Sequence, residues 1–388
     1  MNTSAKTYKI VYCTPALYSA GGTERVVCVK ANYMADVLGH DVTIIVTEGH
    51  NKDSFFPLSP KVHVVNLAIG FEDLWEKNFM VKVLLYIHKQ WHYRQKLKAV
   101  LMQLQPDFTI STLRREINFL TTIADGSIKI GELHLSRRNF RSQDHGGLLR
   151  HLFHRWWRWD LLSKLRRLDK FVALTEKAAS EWPELDNITI IPDPLPLALT
   201  DHVSHFTPKR VIVVGRYAYE KGYDLMLQAW ALIERKFPDW RLDMYGMGNR
   251  EPYNLLSEQL GIDATRCKLH GSLTDVKSVY QESELLVLPS RTEGFGLVLL
   301  EAMACGLPVI AFDCENGPGS IITDGVSGLL VKPYDVELLA GKMAELMGDE
   351  ERRQQMGSQG RSAAAQYAIG KVAQQWQQLF DQLKSARP

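Results

Sequence analysis

The sequence predicts an α/β protein built from two doubly wound, parallel-sheet domains. Short apolar, β-branched runs alternate with longer helical runs, as strands buried on both faces alternate with covering helices. The alternation starts, stops and starts again. Between the two rounds, residues 191–208 hold prolines at 192, 194, 196 and 208, which regular structure does not accommodate. A chain of 388 residues suits two domains of ordinary size.

In the first round, Tyr8–Cys13, Val42–Thr47, Val62–Leu67, Phe108–Ser111, Ile128–Gly131, Phe171–Leu174 and Ile188–Ile191 read as strands. Thr23–Leu38 and Val81–Leu104 read as helices from their apolar spacing. The proline-rich run is the linker. In the second round, Val211–Val214, Arg241–Tyr245, Cys267–His270, Leu285–Leu288, Val309–Phe312 and Gly328–Val331 are strands, each separated by a helical run. From Val336 onward Ala, Gln, Glu and Leu dominate, and the tail reads as helix.

Bulk properties narrow the function. Hydrophobic residues are 45% and charged residues 23%, the balance of a soluble globular enzyme. Formal net charge is +2, so no general affinity for polyanions follows, and no nucleic-acid module is present. The five cysteines, Cys13, Cys28, Cys267, Cys305 and Cys314, form neither a C-x-x-C nor an even framework, and read as reduced thiols. MNTSAKTYKIVYC has no apolar core of signal-peptide length, and no stretch is long enough to span a bilayer. The expectation is a cytoplasmic protein whose membrane contact is peripheral.

The densest motif is Pro289 to Ala311, PSRTEGFGLVLLEAMACGLPVIA. Glu293 and Glu301 have seven residues between them, and Gly294-Phe295-Gly296 follows the first. An apolar strand enters, a helical run from Leu297 leaves, and a second strand follows. Strand, glycine turn and helix aim backbone N–H groups at a phosphate. Upstream, a strand ends in Gly215-Arg216, and Lys221 follows in EKGYD. Two cations at the C-terminal edge of a parallel sheet suit a diphosphate, the arginine as a planar fork and the lysine as a point charge. The chain has no D-x-D and no His/Cys/Asp cluster at ligand spacing. Fixed cations can neutralise a departing phosphate as a metal does elsewhere, so activity without metal or cofactor is expected.

These motifs, in this order, resemble the retaining nucleotide-sugar glycosyltransferases of the GT-B fold, family four. The likeness runs from Gly21-Gly22 to Gly328. It implies two Rossmann-like domains facing across a cleft. Residues 1–200 would bind the acceptor, 201–370 the nucleotide-sugar, and a helix at 371–388 would cross back to the first domain. It assigns Arg216 and Lys221 to the leaving diphosphate, Glu293 to the donor sugar and Glu301 to the ribose hydroxyls. Gly271, in His270-Gly271-Ser272, and Tyr245-Gly246-Met247-Gly248 would offer backbone groups near the base. Gly317-Pro318-Gly319 and Gly325 to Val331 read as structural turns.

In the first half, Gly21-Gly22 follows the first strand in PALYSAGGTER and corresponds to the family's N-terminal glycine loop. It is not G-x-G-x-x-G, so a dinucleotide site is not supported. His134 follows the strand Ile128–Gly131 in Glu132-Leu133-His134, and the resemblance points it at the donor sugar. The chain departs from its relatives here, because Leu133 separates an acid and a histidine that are commonly adjacent. From Arg137 to Lys170 the chain turns basic and aromatic. Arg137, Arg138, Arg141, Trp156, Trp157 and Arg158 suit an anionic membrane interface, a lipid-linked diphosphate acceptor, or a solvated basic helix with inward aromatics.

The expected reaction is retaining transfer of a sugar from a nucleotide diphosphate, UDP by default, to a hydroxyl of a glycan acceptor. The expected acceptor is polyprenyl-diphosphate-linked, in surface polysaccharide or lipid-linked oligosaccharide synthesis at the inner face of the cytoplasmic membrane. A nucleotide-sugar epimerase, a transferase with a soluble sugar acceptor and a non-catalytic binding subunit are the alternatives. Donor sugar, linkage, pathway and oligomeric state are not legible.

Overall fold

The computed structural model describes residues 6–49, 52–74, 78–134, 137, 148–197, 209–273 and 275–387. The chain divides into two compact units. Unit 1 is Met1–Pro194 with Ile369–Pro388, and unit 2 is Leu195–Ala368. The division falls at Pro194, not at residue 200, because Leu195 already pairs with Ala368 in a parallel bridge and donates its N–H to the Tyr367 carbonyl at 2.7 Å.

Unit 1 runs β1 (Lys9–Thr14), α1 (Gly22–Asp36), β2 (Asp41–Val46), β3 (Val62–Asn66), α2 (Phe79–Leu104), β4 (Phe108–Ser111), β5 (Ile128–Glu132), α3 (Leu148–Leu165), β6 (Lys170–Ala173), α4 (Glu176–Ser180) and β7 (Ile188–Ile190). All seven strands are parallel, in the order β3-β2-β1-β4-β5-β6-β7. The order reverses between β1 and β4. In such sheets ligands sit at the reversal, beyond the strands' C-terminal ends.

Unit 2 runs β8 (Arg210–Val214), α5 (Tyr223–Ile233), β9 (Arg241–Tyr245), α6 (Glu251–Gln259), β10 (Cys267–His270), α7 (Val276–Gln281), β11 (Leu285–Leu288), α8 (Leu297–Ala304), β12 (Val309–Phe312), α9 (Pro318–Ile321), β13 (Leu329–Val331), α10 (Val336–Gly348) and α11 (Glu350–Ala364). Its six parallel strands lie in the order β10-β9-β8-β11-β12-β13, so the reversal falls between β8 and β11. Leu285–Leu288 and Val309–Phe312 are buried at every residue, which is why both read as unbroken apolar runs. Trp230, Met226 and Leu242 fill the space between this sheet and its helices.

The last helix, α12 (Ile369–Ser385), belongs to unit 1. Val372, Trp376, Leu379 and Phe380 fall on one face at helical spacing and enter the core beside Tyr8 and Phe108. Phe380 lies 4.4 Å from Phe108, ring centre to ring centre.

Candidate active site

The reversal in unit 2 is built by a close backbone approach. Gly222 opens α5 with φ +66°, and a Cβ placed there would lie 1.9 Å from the Pro289 carbonyl oxygen. No other residue type fits, so the start of α5 seats directly against the segment leaving β11. Arg291 locks the same contact. It donates to both Asp224 oxygens, at 2.8 and 2.6 Å, and stacks 4.0 Å over the Tyr219 ring. Asp224 in turn raises the Arg291 pKa, so this fork stays charged.

That arrangement brings Lys221, after β8, to Glu293, after β11. Lys221 Nζ donates to the Glu293 carboxylate at 2.7 Å, and the Ser290 hydroxyl donates to the same oxygen at 2.7 Å. Glu293 is buried and Lys221 is largely so. Arg216 is exposed and donates to Glu220 at 2.7 Å. It reaches solvent beside that partner, after β8 at the same reversal. Gly294, Phe295 and Gly296 complete the turn. Gly296 has φ +102° and caps the N-terminus of α8. The turn leans on Gly317, where a Cβ would meet the Phe295 carbonyl oxygen at 2.6 Å. Leu297 is the first residue of α8. Glu301 lies on α8, buried, and accepts the Tyr280 hydroxyl at 2.9 Å. Gly271 follows β10, and a Cβ there meets nothing within 4 Å. The protein itself does not require that glycine.

Unit 1 holds a second cluster along its sheet edge. Glu132 ends β5, and Leu133 between it and His134 does not part them. Successive residues of extended chain face opposite ways, so residues two apart share a side. Leu133 enters the apolar cluster of Leu113 and Leu168, while His134 Nε2 lies 3.5 Å from Glu132. His134 Nδ1 lies 3.5 Å from Asp193, just beyond β7. The buried ammonium of Lys30, from α1, ion-pairs with Glu132 and sits 5.3 Å from the Tyr12 ring and 4.7 Å from the Trp376 ring. The four charges alternate, Lys30, Glu132, His134, Asp193. Burial alone would lower the His134 pKa. The carboxylates of Glu132 and Asp193 outweigh it and hold it up at about 9, so the imidazole is a cation at neutral pH. Burial would likewise raise Glu132, but Lys30 and His134 hold it well below the usual carboxylate range.

Gly21 and Gly22 open α1 at the reversal of unit 1. Opposite them, after β4, stands Arg114, which the motif reading did not single out. Its Nε is buried without a hydrogen-bond partner, and its guanidinium makes no ion pair among the described residues. Burial lowers its pKa, against the pull of Glu116 and Glu24. A cation with no direct ion-pair partner at a sheet's reversal is chemistry suited to an anion.

Of the basic run expected from Arg137 to Arg158, the structure describes only part. Arg137 is tucked in, not presented. It donates to Glu184 at 3.0 and 2.8 Å and stacks 4.6 Å over Trp182. Those partners lie more than forty residues along the chain, out of reach of a local reading. Arg158 is exposed and pairs with Glu184 at 2.6 Å, and Trp157 is half-buried. Arg138 and Arg141 lie outside the described residues, as does the side chain of Trp156. Asp193 and Lys30 were also missed. A proline-rich run hides the first, and a mid-helix lysine gives no sign of burial.

Residues 201–363 match the glycosyl transferases group 1 family, and they contain the whole β8–β11 reversal. This segment belongs to the glycosyl transferases group 1. The chain is similar along its length to an uncharacterized glycosyltransferase of Haemophilus influenzae, 28% identical over 379 residues, covering 96% of this chain and 99% of that one. It is similar over 238 residues to the poly(glycerol-phosphate) alpha-glucosyltransferase of Bacillus subtilis, 25% identical, covering 59% of this chain and 35% of that one. In fold it is similar to Staphylococcus aureus TarM, solved with UDP and alpha-GlcNAc-glycerol, at TM-score 0.78 and 16% identity, covering 97% of this chain and all of the other. The chain thus has the GT-B fold.

Proposed function

We propose that this protein is a group 1 glycosyltransferase that moves a sugar from a nucleotide diphosphate, UDP by default, to a hydroxyl of a lipid-linked glycan acceptor in bacterial polysaccharide synthesis. The anomeric configuration is retained. The observation that carries the reading is the Lys221–Glu293 pair at the reversal of unit 2. Arg216, Lys221 and the N-terminus of α8 converge where a diphosphate's charge would build as the sugar leaves. UDP is the nucleotide solved with TarM.

In this mechanism Glu293 orients Lys221 and faces the donor sugar. The carboxylate is committed to Lys221 and Ser290, which suits a positioning role better than that of a nucleophile. Attack then occurs on the face the diphosphate leaves, and the diphosphate's own oxygen takes the acceptor proton. His134, a cation at neutral pH with its two ring nitrogens facing Glu132 and Asp193, is a positioning group in this scheme rather than a base. No metal enters the scheme. Glu132, His134 and Asp193 are the group among the described residues whose ligand atoms lie within 4.8 Å of one another. Lys30 already neutralises Glu132 there, and the protonated imidazole has no lone pair to offer. No described helix is long and apolar enough to cross a membrane.

The test is nucleotide release over UDP-, GDP- and ADP-sugars, in EDTA, with and without polyprenyl-diphosphate glycan. Release that needs the lipid, resists EDTA and gives a product of unchanged anomeric configuration is expected. Release indifferent to lipid would assign a soluble acceptor. Isomerised donor without release would assign an epimerase.

A further inference from the structure

Helix α2 changes character along its length. Its C-terminal half buries Tyr93, Leu97 and Leu101, one per turn, against Phe119 and Leu120. Its N-terminal half is left largely uncovered: every residue from Met80 to His88 is exposed, and Tyr86, 5.9 Å from the Phe71 ring, and Lys89, on the Ile69 carbonyl, tie only its inner side to the unit. The exposed side chains are nonetheless large and apolar. Met80 is 71% exposed, Leu84 67%, Ile87 61% and Trp91 59%, along one stripe, with Val81 and Val83 beside it. A water-facing helix of this composition is costly unless something covers it.

Charge identifies the cover. The 26 residues of α2 contain no acid. The whole chain balances 46 bases against 44 acids, so the absence is local. Lys82, Arg94 and Lys98 are exposed and make no ion pair among the described residues. The stripe's spacing would also suit a helix from a second copy. Two such faces would bring these cations together with no acid to offset them. An anionic bilayer satisfies both features, taking the apolar end among its acyl chains and the cations among its phosphates. Nearby on unit 1, α3 presents Trp159, 65% exposed, and both helices contact the turn Arg115–Asn118.

We propose that the N-terminal half of α2, Met80 to Trp91, is the element by which this protein docks on an anionic membrane surface. It deepens the membrane part of the proposed function, and its test needs neither donor nor acceptor.

The full chain is spun with sucrose-loaded vesicles of phosphatidylglycerol and phosphatidylcholine, and with vesicles of phosphatidylcholine alone. The wild type is expected in the pellet with the anionic vesicles and largely in the supernatant with the neutral ones. Leu84→Glu with Ile87→Glu should cut partitioning about ten-fold or more. Lys82→Ala, Arg94→Ala and Lys98→Ala should each cost up to about five-fold on anionic vesicles, less in high salt. These side chains are exposed, so the variants fold, checked by unchanged circular dichroism. A wild type that stays in the supernatant, or a double glutamate variant that binds as well as the wild type, overturns the proposal. So does dimerisation in lipid-free sedimentation that the double variant abolishes, which would give the face to a second copy. Vesicle binding without sugar transfer would instead sink the proposed function and leave this one standing.

Discussion

The ammonium of Lys221 and the carboxylate of Glu293 meet at 2.7 Å, although 72 positions separate them in sequence. They meet because each follows a strand at the one place where the order of the unit 2 sheet reverses. The pair therefore acts as a unit. Lys221→Ala and Glu293→Gln are each expected to lower the transfer rate about a hundred- to a thousand-fold. The double variant should lose far less than the product of the two, because either change alone disables the other group. Nucleotide release from the four proteins measures the coupling, and multiplicative losses would show the residues act separately.

His134 should leave a signature in stability against pH. Its folded-state pKa is raised to about 9 from an unfolded value near 6.5. The stabilisation it gives is complete below about pH 6.5 and is lost as pH rises toward 9. The size is on the order of 3 kcal/mol. Thermal midpoints from pH 6 to 9.5 for wild type and His134→Gln should converge as pH rises. Parallel curves would mean that His134 is neutral in the fold.

Lys30 has no route to a substrate, yet it is buried against Glu132. Lys30→Met would leave that carboxylate only His134 to balance it, at a cost of about 3–5 kcal/mol. Lys30→Met with Glu132→Gln removes both charges and should recover most of the loss. Chemical denaturation of the two variants distinguishes a paired charge from simple packing.

Arg114 makes the opposite prediction. A partly buried guanidinium with no ion-pair partner and an unbonded Nε is expected to destabilise the empty protein and to be kept for what it binds. Arg114→Leu should raise the thermal midpoint by about 2–4 °C, the shift about 1 kcal/mol gives in a unit of this size. It should also raise the KM for acceptor or donor. A variant that gains stability with unchanged kinetics would reduce Arg114 to an unpaired surface arginine.

The strands were legible because buried parallel strands are unbroken apolar runs, and Leu285–Leu288 reads the same in sequence and structure. The two sheets followed from where the strand pattern restarts, but the order of strands within each did not. What joins distant segments was not legible. Arg137 reads as surface until Trp182 and Glu184 arrive to cover it. Asp193 reads as linker because prolines flank it, though it completes the ion chain through His134. Nothing local to Lys30 or Arg114 announces that one is paired in the core and the other unpaired at an edge. Burial is a property of the assembled sheet, and a motif records only the residues on one stretch of chain.

Two glycines separate what the fold needs from what a ligand needs. At Gly222 an alanine Cβ would lie 1.9 Å from the Pro289 carbonyl, at φ +66°. The backbone must move there, and with it the Lys221–Glu293 contact. Gly222→Ala should lose both stability and activity. At Gly271 a Cβ meets nothing within 4 Å, so Gly271→Ala should leave the thermal midpoint within about 1 °C. If a nucleotide packs against that backbone, the same substitution still raises the Kd for UDP, read by calorimetry. The fold then has no use for the glycine and the ligand does. Unchanged UDP affinity in Gly271→Ala would place the base elsewhere along the β8–β9–β10 edge.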